Sequence, residues 1–519
     1  MTVKTLIKTS EYHDSVTLML VARELLKLPG MQDTAVVMGT EANKSLLEQS
    51  GLLTAEVKAA SPNDLVIAIK TSGDADQALA EAEKLLQKKS GSEEEAGQFR
   101  PKTVRSAVKA RPEANVAIIS VSGRYAADEA WECLERGLHV LLFSDNVTLQ
   151  DEIALKEYAR DYGLLLMGPG AGTAILNGVA LAFANVIPSG PVGIVSAAGT
   201  GLQEVSTLLA KNGVGITQGI GTGGRDLKKE VGGIMFLEGL KALQADPATK
   251  VICLVSKPPA PAVAQKVIEQ VLKSDKPTVI CLLGGDTSGI KSAPHVYPVT
   301  TLQEAGLLAA KLAGAKIPDP SQSIVSETDE LRKLGKELRT KLKPAQKHVR
   351  ALFSGGTLCY ETQVIWRDLF SEKVLSNAPL DHAFQMPDST RSEGNVAVDL
   401  GEEEFTVGRP HPMIDNDLRV RRLLQEARDP SVGVIMLDVV IGYGAHPDPA
   451  AELGAAVQQA RREAAAAGRE LLVVASVTGT EGDPQSLSRS TETLKAAGVT
   501  VCNSNAAASR LVAFILSRG

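Results

Sequence analysis

Residues 193–210 read GIVSAAGTGLQEVSTLLA, and each part of this string predicts a different local structure. Residues 193–196 predict a short buried strand, the glycines on either side of Thr200 predict a tight turn, and residues 202–210 carry apolar side chains at helical spacing. Such a turn makes an anion site, because the first free N–H groups of the helix and the positive end of its dipole face the same point. The residues expected to bind a phosphate or carboxylate here are Ala198, Gly199, Thr200 and Gly201.

A second glycine cluster reads GIGTGGRD at residues 219–226 and is followed by a helical run and by a buried strand at residues 251–255. Two glycine turns that follow parallel strands meet at one edge of a sheet, where ligands of doubly wound proteins bind. The residues of this cluster expected to line the same site are Gly221, Thr222 and Gly223. The alternative is that the glycines serve only the tight turns of a parallel sheet.

Length and composition limit the class of protein. The chain has 519 residues, which suggests three or four domains, and its 44% hydrophobic and 3% aromatic content suits parallel sheets covered by helices. A net charge of -6 with mixed signs argues against nucleic acid as the principal partner. The five cysteines are scattered without a metal-ligand spacing, and no run approaches the length of a membrane span. We therefore expect a cytoplasmic protein with no metal site and no membrane partner.

The order of predicted strands and helices indicates four α/β units and one connecting helix. In the first unit the alternation of strands and helices favours a parallel or mixed sheet. Residues 88–112 are charged and turn-rich, which is typical of a surface linker. The predicted units are residues 1–105, a Rossmann-like unit of the CoA-binding type at 113–189, a flavodoxin-like unit at 190–316, the connecting helix at 317–347, and a second flavodoxin-like unit at 348–519.

The last unit repeats the logic of the one before it. It opens ALFSGGTLCYETQ, so that Gly356 and Thr357 stand where Gly199 and Thr200 stood, and a glutamate follows at the same distance. Two copies of one fold in a single chain explain this order of landmarks. The second copy is expected to supply the other half of the anion site. Its candidate residues are Gly356 and Thr357 in one turn and Gly442 and Gly444 in another.

Several of these strings resemble a known family. GIVSAAGT, GIGTGG, DPATKVICLV and MGPG resemble the alpha subunit of succinyl-CoA synthetase, in which two such domains from separate subunits face each other. SDNVTLQDEIALK, GGRDLKKEVGG, VSKPPA, TVGRPHPMID, LDVVIGYG and VTGTEGDPQ resemble the FdrA family of that superfamily, over nearly the whole chain. The resemblance implies several doubly wound units, with a CoA-binding-like region ahead of two ligase domains fused in one chain.

The same resemblance implies a function. FdrA proteins are associated with allantoin catabolism and with an oxamate carbamoyltransferase, which converts oxalurate and phosphate to oxamate and carbamoyl phosphate together with partner subunits. Phosphate is then a substrate, CoA is left open as a cofactor, and an oligomer is expected. The alternatives are an acyl-CoA synthetase of the succinyl-CoA ligase type and a non-catalytic scaffold subunit.

The chain departs from the synthetase at the residues of its phosphohistidine chemistry. The Gly-His-Ala-Gly loop is missing, and Lys257 stands where a glutamate would orient the histidine. The nucleotide-binding domain of the grasp type is also missing, and the first turn, KTSEYH, contains no glycine. His295 follows the third strand in a different setting. We therefore do not expect this chain alone to activate an acid with ATP.

Three charged or titratable residues are candidates for catalysis. Lys257 could hold a negative oxygen at the bottom of the anion site, and Arg409 in GRPHPMID offers a planar fork for a carboxylate or phosphate, with His411 beside it. An internal bridge from Arg409 to Asp415 that pins the loop is the alternative. Asp438 ends a predicted buried strand, where it could cap a helix or bind an amide.

Overall fold

The computed structural model describes residues 2–11, 13–87, 101–285, 293–370, 372–406 and 409–517. The chain forms two compact units, of which the first consists of Met1–Phe99 with Leu400–Asp417 and the second of Arg100–Asp399 with Leu418–Gly519. Mixed α/β structure with parallel sheets confirms the predicted fold class. The predicted unit boundaries stay predictions.

The first unit is built on a three-stranded sheet of order β1-β3-β2. Both outer strands pair with β3 in the antiparallel sense, so the expectation of a parallel or mixed sheet was wrong. The first two strands run parallel to each other and leave room for one strand between them. The almost fully buried third strand occupies that position and runs antiparallel to both. Its elements are β1 (Thr2–Lys8), α1 (Ser15–Leu26), β2 (Met31–Met38), α2 (Glu41–Gln49), α3 (Ala55–Ala59), β3 (Leu65–Thr71) and α4 (Ala75–Gln87).

The second unit opens with a small parallel sheet of order β4-β5-β6, as a Rossmann-like region would have. The apolar side chains of its strands and helices form one core. Its elements are α5 (Val104–Ala110), β4 (Val116–Ile119), α6 (Gly123–Leu134), β5 (His139–Leu142), α7 (Leu149–Asp161) and β6 (Leu166–Met167).

A seven-stranded sheet follows, in the order β13-β12-β11-β9-β10-β7-β8. Strands β9 to β13 run parallel, whereas β7 and β8 form an antiparallel hairpin on the edge strand β10. Its elements are β7 (Thr173–Leu176), β8 (Val179–Ala182), β9 (Ser189–Ser196), α8 (Gly199–Lys211), β10 (Ile216–Gly221), α9 (Ile234–Ala245), β11 (Val251–Ser256), α10 (Pro261–Val271), β12 (Thr278–Leu282), β13 (Val296–Val299) and α11 (Leu302–Leu312).

The third sheet of this unit has six parallel strands in the order β15-β16-β14-β17-β18-β19. All residues of its central strand β17 are buried, as expected for a parallel strand covered on both faces. The remaining elements are α12 (Pro320–Arg339), β14 (His348–Phe353), α13 (Gly356–Leu369), β15 (Val374–Ser376), β16 (Asn395–Asp399), α14 (Glu403–Thr406) in the first unit, α15 (Asp417–Ala427), β17 (Val432–Val440), α16 (Pro449–Ala466), β18 (Leu472–Thr478), α17 (Leu487–Ala496), β19 (Thr500–Cys502) and α18 (Asn505–Leu516).

The two large sheets share one topology. Five strands of each, β10-β9-β11-β12-β13 and β16-β14-β17-β18-β19, have the flavodoxin-like order in which the first strand lies between the second and the third. Gly199 and Gly356 hold the same place, because each is the first residue of the helix that follows the first strand. This shared order supports the internal repeat.

Two buried glutamates join the copies reciprocally. Glu204 of α8 accepts a hydrogen bond from the backbone N–H of Asn505, the first residue of α18, at 3.1 Å. Glu361 of α13 accepts one from Leu302, the first residue of α11, at 2.6 Å. The first helix of each copy therefore caps the last helix of the other copy, which sets α8 and α13 beside each other.

Candidate functional site

The N-terminus of α8 offers unpaired backbone donors. Its N-cap residue Ala198 has no side-chain cap, and no described residue accepts a hydrogen bond from the N–H groups of Gly199, Thr200 or Gly201. The Ser196 hydroxyl holds the turn from below, since it accepts from the Ala198 N–H at 3.1 Å and donates to the Ala198 carbonyl at 2.7 Å. The turn is fixed in shape and retains the donors that an anion requires.

Gly199 itself is not explained by the fold. Its φ angle is not positive, and a Cβ atom at this position would meet only the Thr173 hydroxyl, at the ordinary distance of 3.6 Å. An alanine would therefore fit, so neither backbone strain nor packing requires glycine at this position. The absence of a side chain leaves the backbone at this position open to close approach.

The N-terminus of α13 faces that of α8. The Thr357 N–H donates to the Thr200 hydroxyl at 3.3 Å, and a Cβ on Gly201 would lie 3.0 Å from the Thr357 methyl group. A Cβ on Gly355 would in turn lie 2.9 Å from the Thr200 methyl group. The structure thus brings together the two turns that the repeat predicts to be partners.

The two helix ends differ in charge. At α13 the Asp438 carboxylate accepts from the N–H groups of Ser354 and Gly355, at 2.8 and 2.7 Å. Arg419 balances this buried charge, with its guanidinium 2.8 Å from an Asp438 oxygen. The Asp399 carboxylate lies directly against Gly356 and leaves no room for a Cβ. Two protein carboxylates therefore lie at the N-terminal end of α13, whereas none of the described carboxylates contacts the N–H groups of the first turn of α8.

Lys257 lies just beyond the carboxyl end of β11, at the same edge of the sheet. Val255, two residues before it, is 3.0 Å from the Cβ position of Gly201. The Lys257 ammonium stands 5.3 Å from the centre of the Tyr360 ring on α13, and none of the described carboxylates forms an ion pair with it. Its positive charge is thus available beside the paired helix ends.

The second glycine cluster has its own protein partners. Gly221 packs against the Thr173 carbonyl, and the Thr222 N–H donates to the Ser196 carbonyl at 2.8 Å. Gly223 has a φ of 88° and contacts the Pro169 carbonyl, so it needs to be glycine for backbone reasons. Lys156 donates to the Thr222 carbonyl at 3.1 Å. This turn supports the one that precedes α8.

The predicted turn at Gly442 and Gly444 is also occupied by protein groups. The Gly442 N–H donates to the Gln485 side chain at 3.0 Å, and a Cβ there would lie 2.6 Å from the Ala184 carbonyl. Gly444 has a φ of 74° and lies against Ala182. These glycines allow the segment before β9 to pass close to the second copy.

Arg409 and His411 belong to the first unit, unlike Lys257 and the glycine turns. Arg409 bonds to the Asn43 side chain and lies 3.9 Å from Asp417, while Asp415 lies 3.4 Å from Arg23. Asp415 thus has a partner in Arg23, and Arg409 pins its loop through Asn43 and Asp417, while the bridge from Arg409 to Asp415 stays a prediction. The His411 ring accepts from the Met413 N–H at 3.1 Å.

Asp399 and Arg419 were missed by the sequence reasoning. Asp399 ends strand β16 at the carboxyl edge of the sheet, a position that could have drawn attention to it. Arg419 is 1% exposed and lies on a polar-looking helix, so that no pattern marks it as the partner of Asp438. Asp438 itself binds the backbone amides of Ser354 and Gly355, directly before α13.

His295 lies away from this edge. It comes directly before β13, and its carbonyl accepts from Thr278, the first residue of β12, at 2.8 Å. The glycine turns follow the carboxyl ends of the strands, so the length of β12 separates them from His295, about 13 Å at ~3.3 Å per residue.

Three family models match the chain. Residues 1–101 match the heavy metal-associated domain of AllF, residues 189–284 match the CoA-binding domain, and residues 352–515 match the CoA-ligase family. Residues 1–101 contain one histidine and no cysteine. Among the described residues no group of three or more His, Cys, Asp or Glu side chains is arranged to hold a metal ion.

Whole-chain comparison gives a close relative and more distant ones. The uncharacterized protein YahF of Escherichia coli (strain K12) is 43% identical over 509 residues, which is 97% of each chain. Subunit alpha 1 of the ADP-forming succinate–CoA ligase of Archaeoglobus fulgidus is 29% identical over 233 residues, 43% of this chain and 78% of its own.

Among solved structures, ATP citrate lyase from Methanothrix soehngenii with citrate and coenzyme A is 14% identical, over 80% of this chain and 84% of its own, with a TM-score of 0.36. That likeness is too low to bear on function. In the part of the chain that the structure describes, every helix is too short or too polar to cross a membrane.

Proposed function

Because the chain belongs to the FdrA family, within the superfamily of the succinyl-CoA synthetase alpha subunit, we propose that it is a subunit of an oxamate carbamoyltransferase. In this reaction oxalurate and phosphate give oxamate and carbamoyl phosphate, without a nucleotide. The observation that carries the proposal is the turn at Gly199, where unpaired N–H groups and a side-chain-free backbone suit an incoming phosphate.

The proposed step is attack of a phosphate oxygen on the carbamoyl carbon of oxalurate. A C–O bond forms, and the former carbonyl oxygen becomes negatively charged in a tetrahedral intermediate. The C–N bond to oxamate then breaks, and the departing nitrogen takes the proton that hydrogen phosphate releases. The N–H groups of Gly199, Thr200 and Gly201 would hold the phosphate, and Lys257 would neutralise the charge that develops.

The other candidate residues fit supporting roles in this proposal. Thr357 would form the wall opposite the phosphate, through its contact with Thr200. Gly356 lies against Asp399, and the clusters at 221–223 and 442–444 bond to protein groups. For Arg409 and His411 the contacts favour a role in pinning the loop over a catalytic one.

A second candidate function is an acid–CoA ligase. The matches to the CoA-binding domain at residues 189–284 and to the CoA-ligase family at residues 352–515 favour it. The α8 turn would then hold the phosphate of an acyl phosphate while the thiol of CoA attacks the acyl carbon. The missing Gly-His-Ala-Gly loop and the position of His295 count against a phosphohistidine intermediate in this chain.

One set of assays separates these functions. The purified chain, alone and with its partner subunits, is given oxalurate with or without phosphate, and the release of oxamate is followed. The carbamoyl-transfer proposal requires release that depends on phosphate, with transfer of labelled phosphate oxygen into carbamoyl phosphate. Formation of a CoA thioester without phosphate-dependent oxamate would favour the ligase, and neither activity, with thermal protection by phosphate alone, would favour a scaffold.

A further inference from the structure

A cavity of about 500 Å³ lies in the second unit, remote from the glycine turns. It is bounded by the C-terminal part of α8 with α11 and α12 on one side, and by α17 with the carboxyl ends of β18 and β19 on the other. Lys211 ends α8, so that the helix places it about 18 Å from Gly199 at ~1.5 Å per residue. The size is that of sites for small organic ligands.

The lining combines hydrocarbon with positive charge. Aliphatic side chains from six elements form much of the wall, and two lysines, Lys211 and Lys495, belong to the lining. The acidic group of the lining, Glu327, already accepts from Gln303 at 2.6 Å and lies 3.9 Å from Arg510. The aliphatic residues of the cavity lining include Leu208, Leu307, Ile317, Ile324 and Val501.

Lys211 is incompletely paired. Its ammonium donates to the carbonyls of Val477 and Asn503, at 3.2 and 3.3 Å, which leaves one of its three protons without an acceptor among the described residues. None of the described carboxylates forms an ion pair with it. The residue stays accessible from the cavity, yet the surrounding protein desolvates the ammonium and lowers its pKa. The side chain is exposed to solvent, and an anion in the cavity would give its third proton a charged acceptor in place of water.

We propose that this cavity binds an amphipathic organic anion, with its carboxylate on Lys211 and its hydrocarbon part on the aliphatic wall around Ile324. The cavity lies at the carboxyl ends of parallel strands, where open α/β sheets bind their ligands. It is a second site in the chain, and it does not depend on the proposed carbamoyl transfer.

The test uses the full chain and two chemically matched probes. Bound 8-anilinonaphthalene-1-sulfonate reports on the cavity by fluorescence, and octanoate and 1-octanol compete with it. Ile324→Trp fills the cavity, whereas Val325→Trp adds the same ring at a position that is 63% exposed on the same helix. We expect Ile324→Trp to weaken octanoate binding by about tenfold or more and Val325→Trp to leave it within about twofold.

Removal of the charge gives a second readout. Lys211→Met replaces the aliphatic part of the side chain and removes the ammonium, and it should weaken octanoate about tenfold while leaving 1-octanol within about twofold. Lys333→Met, at an exposed position of α12, is the control. Equal effects of the two tryptophans, equal losses for octanoate and octanol, or no saturable binding of octanoate to the parent chain would overturn the proposal. If Lys211→Met does not fold, the tryptophan pair decides the matter.

Discussion

At the scale of single residues, the two facing helix ends differ by two carboxylates, Asp438 and Asp399, which lie at α13 and have no acidic counterpart at α8. Asp438 accepts from backbone N–H groups directly before α13. The corresponding position of the other copy, on β11, is the apolar Val255. A buried carboxylate at a helix end is stable only with a partner, which Arg419 provides. The end of α13 thus lies among protein carboxylates, whereas no described carboxylate lies against the first turn of α8.

Asp438→Asn tests this account. It leaves the Arg419 guanidinium buried without its counter-charge, and we expect the unfolding free energy of the second unit to fall by about 3 kcal/mol or more. The measurement is thermal melting, with Glu463→Gln as control, because Glu463 forms an exposed ion pair with Arg428 and should change the free energy by under about 1 kcal/mol. Similar melting of both variants would contradict a supporting role for Asp438.

Gly199 and Gly356 form a matched pair for the anion site. Gly199→Ala should leave the melting temperature nearly unchanged, since the Cβ has room, but should abolish thermal protection by phosphate. Gly356→Ala should instead lower the melting temperature, because its Cβ would collide with the Asp399 carboxylate. If phosphate protects the Gly199→Ala chain as well as the parent, the open turn is not the phosphate site.

Lys257→Ala should cost about 2 to 4 kcal/mol of transition-state stabilisation, measured as kcat/KM for phosphate-dependent transfer, if the ammonium neutralises the developing charge. Lys257→Arg should restore part of the rate. His295→Ala should stay within about tenfold of the parent, as expected for a residue at the opposite end of the strands. The reverse order of the two losses, or acid-labile phosphate that depends on His295, would contradict this assignment.

At the scale of secondary structure elements, the contact between Glu361 of α13 and the N-terminus of α11 depends on pH. Burial is the main cause that raises the pKa of Glu361 to about 7. A carboxyl group with a raised pKa in the folded state stabilises the fold fully below its unfolded pKa of about 4.5, and this contribution is lost as the pH rises through about 7.

We therefore expect melting temperature to fall between pH 5 and pH 8 in the parent chain and to fall less in Glu361→Gln. The difference corresponds to at most about 3 kcal/mol, at ~1.4 kcal/mol per pKa unit. Glutamine keeps the acceptor for the Leu302 N–H, so the cap survives the substitution. Parallel pH profiles of the two chains would show that Glu361 does not titrate in this range.

Hydrophobic patterns predicted most elements but not every strand direction. The strand, turn and helix of residues 193–210 were recognisable because the apolar spacing changes at the glycines. The antiparallel position of β3 between β1 and β2 was not recognisable, because an alternation of strands and helices along the chain does not indicate between which strands a later strand inserts. The protein groups that occupy Gly442 were also beyond prediction, because Ala184 and Gln485 are distant in sequence.

At the scale of the whole molecule, the sequence revealed the repeat but not how its copies exchange contacts. The landmarks at Gly199 and Gly356 occur in the same order, and the strand orders agree with them. That Leu400–Asp417 groups with the N-terminal residues depends on contacts between segments hundreds of positions apart. No local pattern in the chain encodes such contacts.

Division of the chain between the exposed residues Pro344 and Ala345 should give two fragments that fold together but not singly. Alone, residues 1–344 would bury Glu204 without Asn505 and would expose the face of α12 that Phe514 covers. Co-expressed fragments should copurify through a tag on either one and should melt cooperatively. A cooperative melt of residues 1–344 alone, at the temperature of the whole chain, would argue that the copies are independent.

Helix α12 also joins the two copies in one polypeptide. In an assembly of separate subunits, dilution separates the partners and their relative supply sets how many complete sites form. Here the pairing of α8 with α13 is an intramolecular event, so its equilibrium is set by an effective concentration that no dilution of the protein changes. Each translated chain therefore carries both helix ends in a fixed one-to-one ratio, and the open anion position is complete at any level of expression.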